Sequence, residues 1–595
     1  MKKYRFEMAE TSWFEENIAC QSACPAGTDA CGYISEIVEQ RFDNAFAINK
    51  RDNILPATLG RVCFHPCEDA CRRKWTIDQA VAICALKRHA ADNISSHPDT
   101  IPYYDERTPA HAVTRDGMLR TVAVERPKIA IIGAGPAGLA AAHDLALNGY
   151  HPVIFEKYPV AGGMMAVGIP EYRLPRTILQ SEIDAIKKLG VEIRLNVEIG
   201  KDVYFSELRT DYKAIFIGAG CHQGLKMNIP GEDDFKDVID CTTFLREINL
   251  ERPPIAAQKL FVIGGGNAAI DCARVAYRLG YDEVSILYRR TRAEMPASPE
   301  EVQGALEEGI DIQFLTTPVK ILGADSHINA VECIRMELGE PDKSGRRRPK
   351  PVKNSEFTME ADAVVIAIGQ KPKMNFLSAG DGVKLGWNNL IDANLSTGAT
   401  NMPGVFAGGD VVSGPSSVIE AVAIGKRAAV AIDRYIKKEA AFTTAKDTPP
   451  VVLEPVRVNR ADDNYESVKR AAHNTVDAER RVELTTEVEL GFAQDNALEE
   501  ARRCLKCNFN ICLDHSKCVL CGGCADVCPL NCIDIIAMAE IEASSDDSDF
   551  YIHAEPSEQF VLTLDEDRCI RCALCVQRCP VGALAMGELK SDLAA

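Results

Sequence analysis

The chain lacks any long apolar run and any excess of positive charge. No stretch of its 595 residues approaches the roughly 20 apolar residues that a membrane-spanning helix needs. The opening residues, MKKYRFEMAETSWFEEN, lack the apolar segment of a signal peptide. Because the formal net charge is -19, neither nucleic acid nor an anionic membrane surface is expected as a partner. These absences predict a cytoplasmic protein without a membrane span.

The middle of the chain has few cysteines, whereas both ends are rich in them. Of 23 cysteines, seven lie at positions 20–84 and twelve at 504–579, which leaves Cys221, Cys241, Cys272 and Cys333. In a cytosolic chain, clustered cysteines are more often metal ligands than disulfides. The four isolated cysteines are expected to be buried apolar residues.

The segment 128–157 has the pattern of a dinucleotide-binding unit. An apolar strand is followed by Gly133, Gly135 and Gly138 at the G-x-G-x-x-G spacing, then by a helix and a second strand that ends in Glu156. The first glycine permits a tight turn, the second lets the backbone approach a pyrophosphate, and the third lets the helix close on the strand. The helix N-terminus favours phosphate, and Glu156 is expected to accept from a ribose hydroxyl.

A second unit, KLFVIGGGNAAIDCARVAYRLGYDEVSILYRR, carries Gly264, Gly266 and Ala269 in the related G-x-G-x-x-A pattern. Its second strand ends in Arg289 and Arg290 instead of an acidic residue. Guanidinium groups at this place suit a 2′-phosphate, which predicts NADP(H) rather than NAD(H). The alternative is that these arginines belong only to a solvated turn.

The chain then returns to the first unit through residues 400–436, where Gly408, Gly409 and Asp410 precede a long helix. Asp410 is positioned to hydrogen-bond a ribityl chain. The order predicts one sheet interrupted by an inserted second unit. A thioredoxin-reductase-like enzyme would need a Cys-x-x-Cys pair in the insert, and Cys272 has no second cysteine at that spacing.

The carboxyl-terminal segment carries the two-cluster ferredoxin spacing twice, and this is the most specific signal in the chain. In that arrangement the fourth cysteine of each run crosses to the other 4Fe-4S cluster. One cluster would be held by Cys518, Cys521, Cys524 and Cys579, and the other by Cys528, Cys569, Cys572 and Cys575. Cys532 is left over, and the acidic residues 544–559 are expected to form a surface hairpin or loop.

The amino-terminal cysteines follow a three-residue or four-residue helical rhythm, with Cys20-x3-Cys24, Cys63-x3-Cys67-x3-Cys71 and Cys84. Close pairs one helical turn apart can face one inorganic core. Zinc is the competing interpretation, but no ligand histidine pattern accompanies these cysteines.

Together these segments resemble the glutamate synthase small-subunit family, with relatives among NADPH-ferredoxin transhydrogenases and the amino-terminal part of dihydropyrimidine dehydrogenase. The matching motifs are GRVCFHPCEDAC, GAGPAG, GIPEYRLP, GGGNAAIDC, YRRTRAEMPA and FAGGDV. The resemblance implies FAD in the first unit, held by Gly133, Gly135, Pro136, Ala137, Gly138, Glu156, Lys157, Gly163, Met164, Arg173, Val197, Gly409 and Asp410. It implies NADP(H) in the insert, held by Gly264, Gly266, Asn267, Ala268, Ala269, Arg289, Arg290 and Gly369.

One departure concerns the amino-terminal clusters. Relatives with two such clusters carry a C-L-x-C pair just before the C-x3-C-P element, and this chain does not; the pair occurs instead in RRCLKC, at 502–507. One hypothesis is that Cys504 and Cys507 reach back to complete a cluster with Cys20 and Cys71, while Cys24, Cys63, Cys67 and Cys84 hold another. The alternative is a single amino-terminal cluster, with a local site or none at 504–512. Cys31 and Cys512 have no assigned role.

The predicted fold is α/β, with two nested Rossmann-like units flanked by a helical iron–sulfur domain and an α+β ferredoxin domain. Its predicted boundaries are 1–120 (helical iron–sulfur), 121–238 and 373–440 (FAD), 239–372 (NADP), 441–514 (linker) and 515–595 (ferredoxin).

The predicted activity is hydride exchange between NADPH and FAD, followed by single-electron transfer through clusters at both ends of the chain to ferredoxin or a partner redox subunit of a hetero-oligomeric complex. No side chain is expected to act as acid or base. The alternatives are a glutamate synthase small subunit, a bifurcating transhydrogenase subunit and a non-catalytic wiring subunit.

Overall fold

The computed structural model describes residues 4–5, 17–95, 126–252, 255–342, 345–438, 453–456, 467–542, 560–566 and 568–589. Most of the opening segment that lacks a signal peptide, and the predicted loop at 544–559, lie outside these residues. Among the helices it describes, none is both long and apolar enough to cross a bilayer.

The first nucleotide unit is built on a five-stranded parallel sheet. Its strands, in sheet order, are Val405–Ala407, Ala214–Ile217, Lys128–Ile132, His151–Phe155 and Glu192–Arg194. The central strands are buried along nearly their whole length, as expected for a parallel sheet covered on both faces. The helices of this unit are Pro136–Leu147, Met164–Val167, Arg176–Lys188, Phe205–Asp211, Asp410–Ser413 and Val418–Lys437.

The long returning helix packs closely on the helix of the glycine turn. It begins at a capping box in which Ser417 and Glu420 bond each other's backbone N–H groups. A Cβ added at Gly425 would lie 2.3 Å from the Ala137 carbonyl oxygen, so only glycine allows this crossing. The chain therefore returns to the first sheet as the sequence predicts.

The inserted unit has its own five-stranded parallel sheet. Its strands, in order, are Asp311–Phe314, Glu283–Tyr288, Lys259–Ile263, Ala363–Ile366 and Val238–Asp240. Its helices are Cys241–Asn249, Asn267–Arg278 and Pro299–Glu307. Short antiparallel strands, Gln223–Gly224 and Gln370–Lys371, connect it to the first unit. A four-stranded antiparallel sheet absent from the sequence prediction is formed by Thr316–Ala324, His327–Pro341, Arg347–Pro351 and Phe357–Glu360.

The amino-terminal domain is helical. Its helices are Ala19–Ser22, Ala30–Val38, Phe42–Asp52, Pro56–Val62, Pro66–Asp69, Arg72–Thr76 and Ile83–Asp92. The domain contacts the first nucleotide unit through Glu182, whose carboxylate accepts from the Ala57 and Thr58 backbone N–H groups at 2.8 and 2.9 Å. This buried contact fixes the cysteine-bearing helices beside the nucleotide unit.

The predicted linker is ordered in the part that the structure describes, and it packs on the amino-terminal helices. It contributes strands Asn474–Thr475 and Glu489–Gly491 and helix Gln494–Arg502. Strands Leu453–Val456 and Phe509–Leu513 both pair with the last strand, Leu584–Leu589. We call residues 467–507 the arm.

The ferredoxin domain has strands Ile533–Ala537 and Phe560–Leu564 and helices Gly523–Asp526 and Leu574–Arg578. Strand Ile541–Glu542 pairs with Tyr4–Arg5 near the start of the chain. The predicted α/β fold with helical and α+β flanking domains is confirmed.

Candidate functional site

A cavity of about 1130 Å³ extends from the first glycine turn to the second. Every predicted nucleotide-binding residue lines it except Gly138 and Ala269, which lie behind the two turns. The two units therefore open into one space.

The glycines of the first turn have different roles. Gly133 has φ +101°, and a Cβ there would lie 2.5 Å from the Gly218 carbonyl oxygen. A Cβ at Gly138 would meet the Gly133 carbonyl at 2.1 Å, so this glycine serves helix packing. A Cβ at Gly135 would instead reach open cavity, with the nearest atom, Gly163 Cα, 3.9 Å away. The space at Gly135 fits a close-lying pyrophosphate.

Two carboxyl groups face the first half of the cavity. Glu156 is buried, and its two oxygens accept from the backbone N–H groups of Ala134 and Tyr158 at 2.8 and 3.0 Å. Burial raises its pKa despite these bonds. Asp410 accepts from the Ser416 backbone N–H at 3.2 Å, and burial raises its pKa to about 6. Each oxygen retains a lone pair for a ribose or ribityl hydroxyl, which fits the predicted FAD contacts.

Arg173 lines the cavity, but its guanidinium pairs with two acidic side chains of the inserted unit. Its Nη1 lies 3.0 Å from both Asp271 carboxylate oxygens, and its Nε lies 3.2 Å from Glu301. Both acids belong to helices of the inserted unit. The predicted FAD contact of Arg173 thus stays a prediction, whereas its contact across the two units is direct.

The two arginines of the second turn differ sharply. Arg289 is exposed and lines the cavity. Arg290 is buried, with Nη2 2.9 Å from Asp342 and Nε donating to the Arg347 carbonyl at 2.8 Å. Arg289 is therefore exposed to the cavity, whereas Arg290 is engaged with the neighbouring antiparallel hairpin; the 2′-phosphate contact of both arginines stays a prediction. Asn267 accepts from the Ser298 backbone N–H at 2.9 Å and opens the helix at this turn.

Sequence reasoning missed several cavity residues. Phe64 reaches the cavity from the amino-terminal domain, and it directly follows Cys63. His222 directly precedes the short strand Gln223–Gly224, and burial and the charges of Lys157 and Arg246 lower its pKa to about 3, so its imidazole is neutral. Of these residues, only Phe64 could have been found from the sequence, because it directly follows Cys63, a predicted cluster ligand.

The amino-terminal cysteines separate into two groups. The first group is Cys24, Cys63, Cys67 and Cys84: burial acts to lower the pKa of Lys87, but the charges of these four cysteines raise it above its ordinary value, which places all four near one side chain. The second group lines one small cavity and consists of Cys20, Cys71, Cys504 and Cys507, with Cys31 as a fifth member. The Sγ atoms of Cys20 and Cys31 are 4.0 Å apart. Cys512 lies instead on a ferredoxin strand opposite Ala585. This geometry favours the reach-back hypothesis over a local site at 504–512.

A buried charged network holds the arm in place just before its two cysteines. Glu500 and Arg503 are fully buried and pair at 2.6 Å. Glu500 also accepts from the Ala82 backbone N–H at 2.8 Å, and Arg503 donates to Asp78 at 2.9 Å. Arg73 donates to the Arg503 carbonyl at 3.0 Å. The network accounts for the position of the arm cysteines against the amino-terminal helices.

The ferredoxin cysteines fall into two groups whose members match the two predicted ligand sets. The third group, which lines one small cavity, is Cys528, Cys569, Cys572 and Cys575, with Cys532 beside them. The fourth group lines another and is Cys518, Cys521, Cys524 and Cys579. Cys532, predicted not to be a ligand, has its Sγ 3.2 Å from that of Cys528.

A repeated turn supports cluster ligation at both ends of the chain. The residue two positions after a cysteine has positive φ in His65, Lys506, Leu520 and Arg571. In three of these turns its backbone N–H donates to that cysteine's sulfur: His65 at 3.3 Å, Lys506 at 3.4 Å and Arg571 at 3.4 Å. N–H···S bonds of this kind stabilise thiolate ligands and tune clusters. The arm thus repeats the ferredoxin turn.

No set of three acidic, histidine or cysteine side chains within the described ranges is close enough for a single metal ion. The four isolated cysteines, Cys221, Cys241, Cys272 and Cys333, are all buried.

Comparisons with known proteins agree with this division. The pyridine nucleotide-disulphide oxidoreductase family matches residues 127–425. A dihydropyrimidine dehydrogenase domain II, 4Fe-4S cluster family matches 10–98, and a 4Fe-4S dicluster domain matches 517–583. These matches confirm the predicted cofactor classes, FAD with NADP(H) and 4Fe-4S clusters, for the nucleotide units and for both ends of the chain.

Three curated proteins are similar over most of their length. The NADP(+)-dependent formate dehydrogenase subunit beta of Moorella thermoacetica is 45% identical over 82% of this chain and 70% of that protein. The NADPH-Fe(3+) oxidoreductase subunit beta of Geobacter sulfurreducens is 40% identical over 82% and 75%. The glutamate synthase [NADPH] small chain of Halomonas elongata is 34% identical over 71% and 88%.

Proposed function

This chain belongs to the family of FAD- and iron–sulfur-dependent NADPH oxidoreductase subunits that includes the glutamate synthase small chains, and we propose that it passes electrons from NADPH through four 4Fe-4S clusters to a partner redox subunit in the cytoplasm. The predicted family resemblance is thereby confirmed.

The cavity supports the entry step. A flavin accepts a hydride from a nicotinamide and releases electrons singly, and this chemistry belongs to the cofactor. The protein supplies two phosphate-binding turns that face one cavity, Gly135 in one and Gly266 in the other. Arg173, paired with Asp271, fixes the spacing between the units. The protein therefore binds and aligns the two nucleotides and excludes solvent from them.

The first cysteine group lies next to this cavity. Cys63 stands between Val62 and Phe64, and both neighbours line the cavity. Cys24 and Cys63 also pack against the hydrophobic core of the FAD unit. The first group is thus the nearest route for a single electron out of the flavin site.

The first and second groups are interleaved in the manner of a two-cluster ferredoxin. Cys20 and Cys24 are four residues apart yet fall in different groups, and so do Cys67 and Cys71. The ferredoxin pairs Cys524/Cys528 and Cys575/Cys579 divide in the same way. Each domain therefore offers two closely adjacent cluster sites.

The order of the cysteine groups along the electron-transfer route is inferred from the contact of one arginine of the amino-terminal domain with the ferredoxin domain. Arg72 follows Cys71 of the second group, and its Nη1 donates to the Cys569 carbonyl of the third group at 3.0 Å and to the Glu566 carbonyl at 3.3 Å. The ferredoxin domain is thereby docked on the amino-terminal domain. The cysteine groups therefore follow one another from the nucleotide cavity, first to fourth, and clusters held there would pass electrons along this one line rather than along two separate routes toward the chain ends.

Anaerobic mixing of the full-length holoprotein with NADPH or NADH tests the function. We expect flavin bleaching with NADPH, followed by electron paramagnetic resonance (EPR) signals of reduced clusters, and slower bleaching with NADH. Absence of bleaching with either nucleotide would favour a non-catalytic wiring subunit. Faster bleaching with NADH would overturn the assignment of NADPH.

The partner is proposed from the relatives. Two of them are named as beta subunits, which supports a hetero-oligomeric complex for this chain. In the fourth group Cys521 is exposed and offers an exit to another redox protein. Purification of the native complex, with identification of its other chains, tests this assignment; a chain that purifies alone would contradict it.

A further inference from the structure

The second phosphate-binding turn leaves open space on its cavity side. A Cβ added at Gly266 would have its nearest atom, the Cγ of Pro296, 4.0 Å away, and Gly266 lines the cavity. The space at Gly266 thus fits a pyrophosphate in the same way as the space at Gly135. A dinucleotide bound at such a turn places its adenosine ribose beside the end of the second strand, which here is Tyr288, and Arg289 follows directly.

A hairpin of the antiparallel sheet brings a further arginine to the cavity. The strands His327–Pro341 and Arg347–Pro351 pair with each other, and Arg346 directly precedes the second of them. Arg346 is half-buried and lines the cavity, as Arg289 does. The guanidinium of the next residue, Arg347, is instead bonded to the hairpin itself, where it donates to two carbonyls of the facing strand at 3.1 and 3.2 Å.

The buried Arg290 fixes the position of Arg346 relative to Arg289. Its Nε donates to the Arg347 carbonyl at 2.8 Å, and its Nη2 lies 2.9 Å from the Asp342 carboxylate. The Asp342 backbone N–H donates in turn to the Arg346 carbonyl at 2.7 Å. Arg290 and Arg347 are thus joined by a direct hydrogen bond, and their chain neighbours Arg289 and Arg346 both line the same cavity. Two arginines from separate elements therefore lie at the adenosine end of the second nucleotide site.

We propose that Arg346 is a specificity-determining residue that binds the 2′-phosphate of NADPH alongside Arg289. The inference rests on the proposed function, in which NADPH is the electron donor. A phosphate monoester carries about 1.5 to 2 negative charges at neutral pH and offers three strong acceptor oxygens. A second guanidinium fork adds charge and donors that one arginine does not supply. NAD(H) has a hydroxyl group in place of this phosphate, so the contact distinguishes the two nucleotides.

The test compares Arg346→Ala with Arg348→Ala in the full-length holoprotein. Arg348 lies two residues further along the same hairpin, is exposed, and does not line the cavity in the part of the chain that the structure describes. Isothermal titration calorimetry measures the binding of NADP+ and of NAD+, and the FAD content shows that each variant is folded. We expect Arg346→Ala to weaken NADP+ binding roughly tenfold or more and to leave NAD+ binding within about twofold of the parent. Arg348→Ala should stay within about twofold for both nucleotides, because an exposed charge away from the site is screened.

Parent-like NADP+ binding in Arg346→Ala, or an equal loss of NADP+ and NAD+ binding, would overturn the proposal and leave NADPH as the donor. A parent protein that binds NAD+ as tightly as NADP+ would instead contradict the proposed function itself. If Arg346→Ala loses its FAD, Arg346→Lys decides, because lysine keeps the charge but not the two-pronged guanidinium. Weaker NADP+ binding with unchanged NAD+ binding in Arg346→Lys upholds the proposal, and parent-like binding of both contradicts it.

Discussion

Removing the Glu500 carboxylate should release the arm cysteines from the second group. In Glu500→Ala the Arg503 guanidinium keeps Asp78 but loses its fully buried partner at 2.6 Å. The Ala82 and Ala471 backbone N–H groups, now 2.8 and 2.7 Å from Glu500, lose their acceptor. Breaking a buried ion pair costs about 3–5 kcal/mol, and the remaining Asp78 contact favours the lower end. The corresponding unfolding transition should fall by on the order of 10 °C.

The assay is iron content, measured together with anaerobic thermal unfolding. Glu500→Ala should lose one cluster, about four iron atoms per chain, while the ferredoxin pair keeps its own. Glu499→Ala is the matched control, because Glu499 neighbours Glu500 on the same helix and is exposed. Parent-like iron content and thermal stability in Glu500→Ala would refute the role of this network in holding Cys504 and Cys507 at the cluster site.

Four further substitutions test the nucleotide sites. Gly135→Ala should fold and keep its iron but lose FAD, because its Cβ enters the open cavity. Gly138→Ala should fail to fold, because its Cβ would lie 2.1 Å from a carbonyl oxygen. Measuring the flavin and iron content distinguishes the two variants. Arg289→Ala should raise KM for NADPH roughly 10- to 100-fold and leave KM for NADH unchanged, which steady-state kinetics measures. Burial raises the pKa of Asp410 to about 6, so the folded protein holds the proton on this carboxyl more tightly than the unfolded chain does. The stability that this proton binding adds to the folded protein is present at low pH and is lost as the pH rises through about 6. The FAD-free protein should therefore gain about 1 kcal/mol between pH 7 and 5 relative to Asp410→Asn in urea unfolding.

Local sequence pattern was enough to predict both nucleotide units and the division of the ferredoxin cysteines into two groups. Glycine spacing indicates where a phosphate turn forms, because glycine takes up positive φ, as at Gly133, without the steric cost of a side chain and lets the backbone approach a ligand. Cysteine spacing predicted the third and fourth groups in the same direct way.

Long-range pairings were not predictable from those patterns. Arg290, predicted to bind a 2′-phosphate, is paired with Asp342, which is 52 residues later in the chain. The pairing of strand Phe509–Leu513 with Leu584–Leu589 shows that the ferredoxin sheet recruits part of the predicted linker. The Arg72 contact with Cys569 spans 497 residues. These contacts depend on tertiary packing, on which neither periodicity nor local spacing carries information.

The central claim, a single line of electron transfer through the amino-terminal domain, is tested most directly with Cys71→Ala. This variant removes a proposed ligand of the second group and leaves the nucleotide cavity and the ferredoxin cysteines unchanged. After anaerobic mixing with NADPH, we expect the flavin to bleach at the parent rate while the ferredoxin clusters stay oxidised in rapid-freeze EPR. Reduction of the ferredoxin clusters at the parent rate would contradict the single line.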